Sequence, residues 1–353
     1  MEAVVIERGA ESPTRRELPR PEPADGEALV RTLRVGVDGT DHEVITGGHG
    51  GFPEGDDYLV LGHEAVGVVV ESKGPALDAG DIVVPTVRRP PASGENVYFE
   101  RGEPDMAPPE ATAERGIDGA HGFMSEYFTS PETYLVRIPE SLAEAGFLVE
   151  PVSISEKALE LAYASRSSFE WEPESALVLG NGSLGLLTAA MLVEEYRVYC
   201  LGRTDRPAPS LDLLDRLGVT YVDSRETPVP EIPAEYESMD LIYEATGYAK
   251  HAFESIDALA PAGVAALLGI PEPSTFEIDG GRLHRDLVMG NKALVGSVNS
   301  GVDHFEAAAE TLASFPEPVV EAFLDGVVPL DRYEAAFDSA GTELKTAIEF
   351  SEK

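Results

Sequence analysis

One cysteine, Cys200, serves a chain of 353 residues. A count of one excludes an intrachain disulfide and any zinc cluster built from thiolates. Lysine is almost as scarce, with six residues, at 73, 157, 250, 292, 345 and 353. The 26 basic residues face 64 Asp and Glu, so the formal net charge is −38 and no basic face is left to hold nucleic acid or an anionic membrane. Also missing is any apolar run of about 18 residues, the length needed to span a bilayer as a helix. The opening MEAVVIERGAESPTRR turns polar before a secretory core forms, and it reads as a strand. The expectation is a soluble cytoplasmic protein.

What the chain does hold is acid in excess together with 43% hydrophobic residues. That combination fits a folded protein adapted to high salt, where screening offsets the self-repulsion of the surface. The length allows two domains with their own cores. Short β-rich runs such as EALVRTLRVGVDG, EAVGVVVESKG and GDIVVPTV fill the first half, broken by Gly and Pro, and predict a small all-β or α+β domain. Residues 88–122 lack periodicity, and a stretch of that length in a compact domain reads as a functional or disordered loop. From residue 176 the pattern becomes apolar strand, glycine turn and helix, repeated through RVYCLGR, DLIYEATG, GVAALLGI and ALVGSVN. Repeats of this kind predict parallel βαβ units. The polar junction ASRSSFEWEPES sets the expected division: residues 1–172 with 300–353 form one domain and 173–299 the other. The tail supplies a helix, HFEAAAETLASF, and a strand, LKTAIEFSEK, that return to the first domain.

Within ALVLGNGSLGLLTAA, Gly180, Gly182 and Gly185 follow an apolar strand and open a helix, with Asn181, Ser183 and Leu184 between them. The first glycine makes the tight turn, the second admits a pyrophosphate, and the third lets the helix pack closely on the strand. The free N–H groups at the helix start favour the anion, so this is a dinucleotide site. The next strand ends in GRTDRP, which puts Arg203 and Arg206 where a 2′-phosphate would lie and favours NADP. The alternative is that Asp205 accepts the ribose hydroxyls, which keeps NAD possible.

The run GHEAVGVVVESKG, with Gly62, His63, Glu64, Gly67 and Gly74, resembles the signature of the zinc-dependent medium-chain dehydrogenases/reductases. The resemblance covers essentially the whole chain. It implies an α/β architecture: a GroES-like β-rich catalytic domain plus a Rossmann domain with a doubly wound parallel sheet. It also implies one catalytic zinc ion, with His63 as a ligand and Asp38 at the position where relatives carry a cysteine. Zinc accepts carboxylate oxygen as well as thiolate, so the exchange is chemically reasonable. Glu150 in GFLVEPVSISEKAL, expected after a strand and before a helix, becomes a third ligand, and Glu64 a fourth that alternates with water. The four-cysteine lobe that binds structural zinc in many relatives would fall in 88–122, where no cysteine exists, so no structural zinc is expected. His42, His49 and His121 read as satisfied loop residues, and Asp41 and Glu43 as solvated or locally paired acids.

A closer resemblance, carried by RVGVDGTDHEVITGGHGGFPEG, PTVRRPPASG, ERGIDGAHGFMSE and GSVNS, is to the archaeal glucose 1-dehydrogenases, in particular their halophilic branch. It implies oxidation of D-glucose or a similar aldose at C1 to the aldonolactone, with hydride transfer to NADP. Thr40, Glu114, Glu150 and Asn299 would then bind sugar hydroxyls, and Thr40, Glu64 and Glu150 would handle the proton. Leu268, Gly269 and Ile270, with Ser297, Val298 and Asn299, would line the nicotinamide half, and Lys345 would reach the cofactor or the domain cleft, or else lie on the surface. Relatives suggest a homodimer or homotetramer. Two other functions stay open: a dehydrogenase for another polyol or alcohol, and a zinc-free NADPH-binding protein of the quinone-reductase kind.

Overall fold

The computed structural model describes residues 1–338 and 343–353. They form two compact units, one made of Met1–Ser153 with Asn299–Lys353, the other of Ile154–Val298.

The first unit is organised around the long strand Glu27–Val37, whose residues are all buried or half-buried. It pairs antiparallel with Ala65–Ser72, with Tyr127–Pro131 and with the C-terminal strand Thr346–Glu349. The expected return of the chain's tail is therefore realised as a strand in the sheet, together with a helix at Val302–Ser314. Register then assembles a site. Val35 pairs with Ala65, and Gly36 N donates to Glu64 O at 2.8 Å, so His63 and Glu64 run alongside the end of the central strand. On its other side Val37 pairs with Thr346, which brings Lys345 to the same end. Asp38 follows directly and caps the helix Gly39–Thr46.

The stretch 88–122 is built from short pieces. Strand Arg88–Arg89 pairs with Ala113–Arg115, two single 3-10 turns lie at Pro104–Met106 and Pro109–Ala111, and Val97–Glu100 makes one helical turn. Before Glu150 the sequence pattern predicts a strand; the structure has a 3-10 turn, Gly146–Leu148, running into the helix Val149–Ala164. A short, fully buried apolar run carries no periodicity that separates the two, and here close packing of Gly146 against Val66 and Ile138 fixes the turn.

The second unit is a six-stranded sheet, entirely parallel, in the order Thr220–Asp223, Arg197–Gly202, Ser175–Leu179, Met239–Glu244, Leu259–Leu267, Ala293–Gly296. Its central strands are buried on both faces and mostly apolar, as expected of helix-covered parallel strands. Leu177, Leu179, Leu201, Val222, Ile232, Met239 and Ile242 share one core cluster. The chain order reverses between Ser175–Leu179 and Met239–Glu244, the crevice where such sheets bind dinucleotides. The division expected after residue 172 falls instead after Ser153. The rest of helix Val149–Ala164 belongs with the parallel sheet: Ser155 Oγ lies 2.6 Å from Thr188 Oγ1, and Tyr243 OH donates to Ser155 O at 3.2 Å. No described helix is long and apolar enough to cross a membrane.

Candidate active site

Four of the expected ligands converge in the first unit. His63, Glu64 and Glu150 offer atoms that lie within 4.8 Å of one another, and so do Asp38, Asp41 and His63, so His63 joins the two groups. His63, Glu64 and Glu150 are buried, while Asp38 is half-buried, with its Oδ2 3.7 Å from His63 Nε2. The other oxygen of Asp38, Oδ1, accepts from Asp41 N at 3.1 Å as the helix cap. One carboxylate therefore fixes the helix and keeps its second oxygen turned toward His63. Thr40 Oγ1 donates to that same Oδ2 at 3.2 Å.

Of the two readings expected for Asp41, locally paired rather than solvated is the one realised. Asp41 is 1% exposed; its Oδ2 accepts from Asp38 N at 3.1 Å and its Oδ1 from Gly62 N at 3.2 Å. It thereby ties the Asp38 turn to the residue just before His63. The signal available in the sequence is the spacing Asp38-x-x-Asp41, a reciprocal capping box with an acid at each end. Glu43 is exposed, as expected. His121 is satisfied, bonded to Val60 N and to Asp56.

Burial sets the electrostatics. It is the largest influence pushing Glu150 up to about 8 and Asp41 up to about 7, with the neighbouring acids adding to the effect. Burial opposes the charge on His63, but Asp38, Glu150, Asp41 and Glu64 prevail and push it up to about 9. Burial also works against Asp38, yet His63 and Lys345 hold it below the usual carboxylate range. His63 Nδ1 is buried without a hydrogen-bond partner among the described residues. One imidazole among crowded acids in a low-dielectric pocket is a donor set that a divalent cation completes, since the ion supplies the missing positive charge.

Lys345 is buried rather than on the surface. Its Nζ donates to Glu64 Oε1 at 2.7 Å; Oε2 is also close, at 2.5 Å, but without the alignment of a hydrogen bond. Gly36 makes this pair possible, because a side-chain carbon there would overlap the Glu64 carboxylate and crowd Lys345.

Glu114 and Asn299 meet. Asn299 Nδ2 donates to Glu114 Oε1 at 2.8 Å, from a left-handed backbone (φ 57°) that asparagine tolerates better than most residues. The adjacent Ser300 Oγ lies 2.6 Å from Ser153 Oγ, which donates to the carbonyl of Glu150 at 2.5 Å. Asn299 is thus linked to the helix that carries Glu150. Arg88, which carries no signal of its own in the sequence, donates from Nε to the same Glu114 oxygen at 3.0 Å.

In the second unit the glycine motif has the expected form. Gly180 turns at φ 114° at the end of its strand, and Gly182 opens the helix Ser183–Leu192 with no side-chain cap. Any side chain on Gly185 would strike the Gly180 carbonyl. Leu184 is half-buried, and Asn181 Nδ2 donates to Thr204 Oγ1 at 2.8 Å. Arg203 and Arg206 differ: Arg206 pairs with Asp215 at 2.8 Å, whereas Arg203 has no ion pair among the described residues. Asp205 is taken by Arg225 at 2.6 Å, which engages the acid that would otherwise accept a ribose. Leu268 and Gly269 both donate N–H to Glu244 O, and Ser297 N donates to Leu267 O. Ile270 and Val298 are exposed.

Residues 24–140 match the family model of the alcohol dehydrogenase GroES-like domain, and residues 143–350 that of the glucose dehydrogenase C-terminus. The chain is 65% identical to the glucose 1-dehydrogenase of Haloferax mediterranei and 58% identical to that of Haloarcula marismortui, with 99% of each chain covered in both comparisons. The solved structure of Haloferax mediterranei glucose dehydrogenase in complex with NADP, Zn and gluconolactone superposes with a TM-score of 0.98 over 100% of both chains. The likeness spans the acids gathered around His63 and the glycine turn of the second unit, and the chain belongs to the glucose 1-dehydrogenase family.

Proposed function

We propose that the chain oxidises D-glucose, or a closely similar aldose, at C1 to the aldonolactone, with NADP as the preferred hydride acceptor and NAD as a possible one. The observation that carries this reading is the convergence on His63 of buried Glu64 and Glu150 from one side and half-buried Asp38 from the other, in the same unit as the Glu114–Asn299 pair. The likeness to a relative solved with NADP, Zn and gluconolactone supports it. Zinc held by Asp38, His63 and Glu150, with Glu64 as a fourth group, would polarise the C1 hydroxyl as a Lewis acid.

The protein's own groups do the rest. Thr40, hydrogen-bonded to Asp38, is the hydroxyl beside the ligand set and the relay for the departing proton, with Glu64 or Glu150 as acceptor. Glu114 spends Oε1 on Arg88 and Asn299 and keeps Oε2 for a sugar hydroxyl. A site made of carboxylates and amides discriminates strongly against analogues that lack the hydroxyls it binds. Gly180 to Gly185 cradle the pyrophosphate, and Leu268, Gly269, Ile270, Ser297, Val298 and Asn299 line the nicotinamide half.

A zinc-free quinone-reductase reading leaves the buried cluster of acids around His63 without a purpose. We also read the chain as a homodimer or homotetramer. The edge strand Ala293–Gly296 is unpaired on one side among the described residues, and Val288, Met289 and Val298, close to it in sequence, are exposed. An aldose panel with NADP and NAD, together with metal analysis of dialysed protein, tests the function. Activity on sorbitol with none on glucose or galactose overturns the substrate, and full activity in metal-free protein overturns the zinc.

A further inference from the structure

The stretch 88–122 has no cysteine to organise it with a metal, and one buried arginine takes over that task. Arg88 is 5% exposed, and Nη1 of its guanidinium donates to the carbonyls of Pro104 at 3.1 Å, Asp105 at 3.1 Å and Ala107 at 2.7 Å. Another nitrogen of the same planar group, Nε, donates to Glu114 Oε1 at 3.0 Å. Strand pairing puts the two residues opposite each other, Arg88 against Glu114. Asn299 Nδ2 approaches the same oxygen at 2.8 Å. Oε1 therefore has two donors, one of them charged, and Glu114 cannot rotate without breaking a charge-assisted hydrogen bond. Oε2 has no protein partner among the described residues.

The turn that follows Glu114 is itself seated on the segment that leads into the metal ligands. Gly116, at φ 78°, packs against the carbonyl of Gly62, where any side chain would collide, and Phe123 N donates to that carbonyl at 2.9 Å. His63 follows directly. Glu114 is thus held from two sides, by Gly116 two residues on, packed against Gly62, and by its own Oε1 against Arg88.

We infer that Arg88 is a positioning residue for sugar recognition: it holds Glu114 with Oε2 free to take a hydroxyl and locks the 104–107 turn at the same time. The inference rests on the reading of Glu114 as a sugar ligand. Lysine cannot replace arginine here, because a single ammonium nitrogen cannot bond the three carbonyls and the carboxylate at once.

The test compares Arg88→Lys, Glu114→Gln and wild type for kcat and KM with glucose and with a set of monodeoxyglucoses, alongside thermal melting. In Arg88→Lys the glucose KM is expected to rise about tenfold, the size of one lost hydrogen bond to a charged group, with a smaller change in kcat. The deoxy sugar that wild type discriminates against through Glu114 loses its penalty in both variants, a change that a purely structural arginine would not produce. If Arg88→Lys melts earlier but keeps the wild-type KM and discrimination while Glu114→Gln loses them, the positioning role is wrong. If Glu114→Gln itself keeps both, the sugar-ligand reading beneath it is wrong. Should Arg88→Lys fail to fold, Arg88→Gln takes its place, keeping N–H groups for the carbonyls but no charge for Glu114. Unchanged KM and discrimination in that variant, with Glu114→Gln impaired, would overturn the positioning role in the same way.

Discussion

Lys345 and Glu64 form an ion pair sealed inside the protein, with side chains 3% and 2% exposed and 2.7 Å between Nζ and Oε1. The two residues are far apart in sequence and meet because both flank the end of strand Glu27–Val37. Breaking a buried pair from one side leaves the other charge uncompensated, at about 3 kcal/mol or more. Lys345→Met is expected to lower the unfolding free energy by that order. Gly36→Ala should act in the same direction by pushing the Glu64 carboxylate off the lysine. Equilibrium unfolding of the metal-free protein measures both, and a Gly36→Ala variant as stable as wild type would contradict the packing described.

Asp38 has two tasks that substitution can separate. Oδ1 caps the helix Gly39–Thr46, and Oδ2 faces His63. Asparagine caps as well as aspartate but brings no charge to a metal, whereas alanine loses the cap at about 1 kcal/mol. Asp38→Asn is therefore expected to melt like wild type in the metal-free state while binding zinc at least about tenfold more weakly. Asp38→Ala should lose both. Melting curves and zinc competition with a chromophoric chelator separate the two effects, and Asp38→Asn with undiminished zinc affinity would remove Asp38 from the ligand set.

How much of the fold and site is legible in the sequence follows from how each residue is specified. The glycine turn at Gly180–Gly185 and the pair Asp38 and His63 are matters of local spacing and family pattern, and both stand in the primary structure. Lys345 on Glu64 depends on sheet register across the whole unit, and no local pattern encodes it. Arg88 reads as one more arginine until the Ala113–Arg115 strand pairs with it. Glu150 follows from family position, yet the run before it reads as a strand, because a short buried apolar run looks alike in either form.

The crowded acids make metal uptake a proton-releasing event. In the metal-free protein Glu150, raised chiefly by burial to about 8, and His63, raised by its acidic neighbours against burial to about 9, both hold protons at neutral pH. A cation needs these groups deprotonated, so zinc affinity should rise with pH through that range, and zinc binding near pH 7 should release protons. The stability sign is the reverse for the metal-free protein. Groups whose pKa is raised on folding stabilise fully below their unfolded values, near 4.5 and 6.5, and that contribution is lost as pH rises through about 8 and 9. Melting temperature without metal should fall across this window, and zinc should flatten the slope. Calorimetric titration of zinc in buffers of different ionisation enthalpy counts the protons, and a count of zero would refute the electrostatic picture.

Cofactor choice turns on which arginine is available. Arg206 is paired with Asp215 at 2.8 Å and has Asp212 nearby, while Arg203 has no ion pair among the described residues. A 2′-phosphate is therefore expected to use Arg203 first, since recruiting Arg206 means breaking an existing pair. Arg203→Ala should raise the KM for NADP about tenfold and leave that for NAD nearly unchanged, whereas Arg206→Ala should change the NADP value much less. Steady-state kinetics with both cofactors decides the matter. If Arg206→Ala proves the more damaging of the two, the pair with Asp215 opens on binding, and the assignment passes from Arg203 to Arg206.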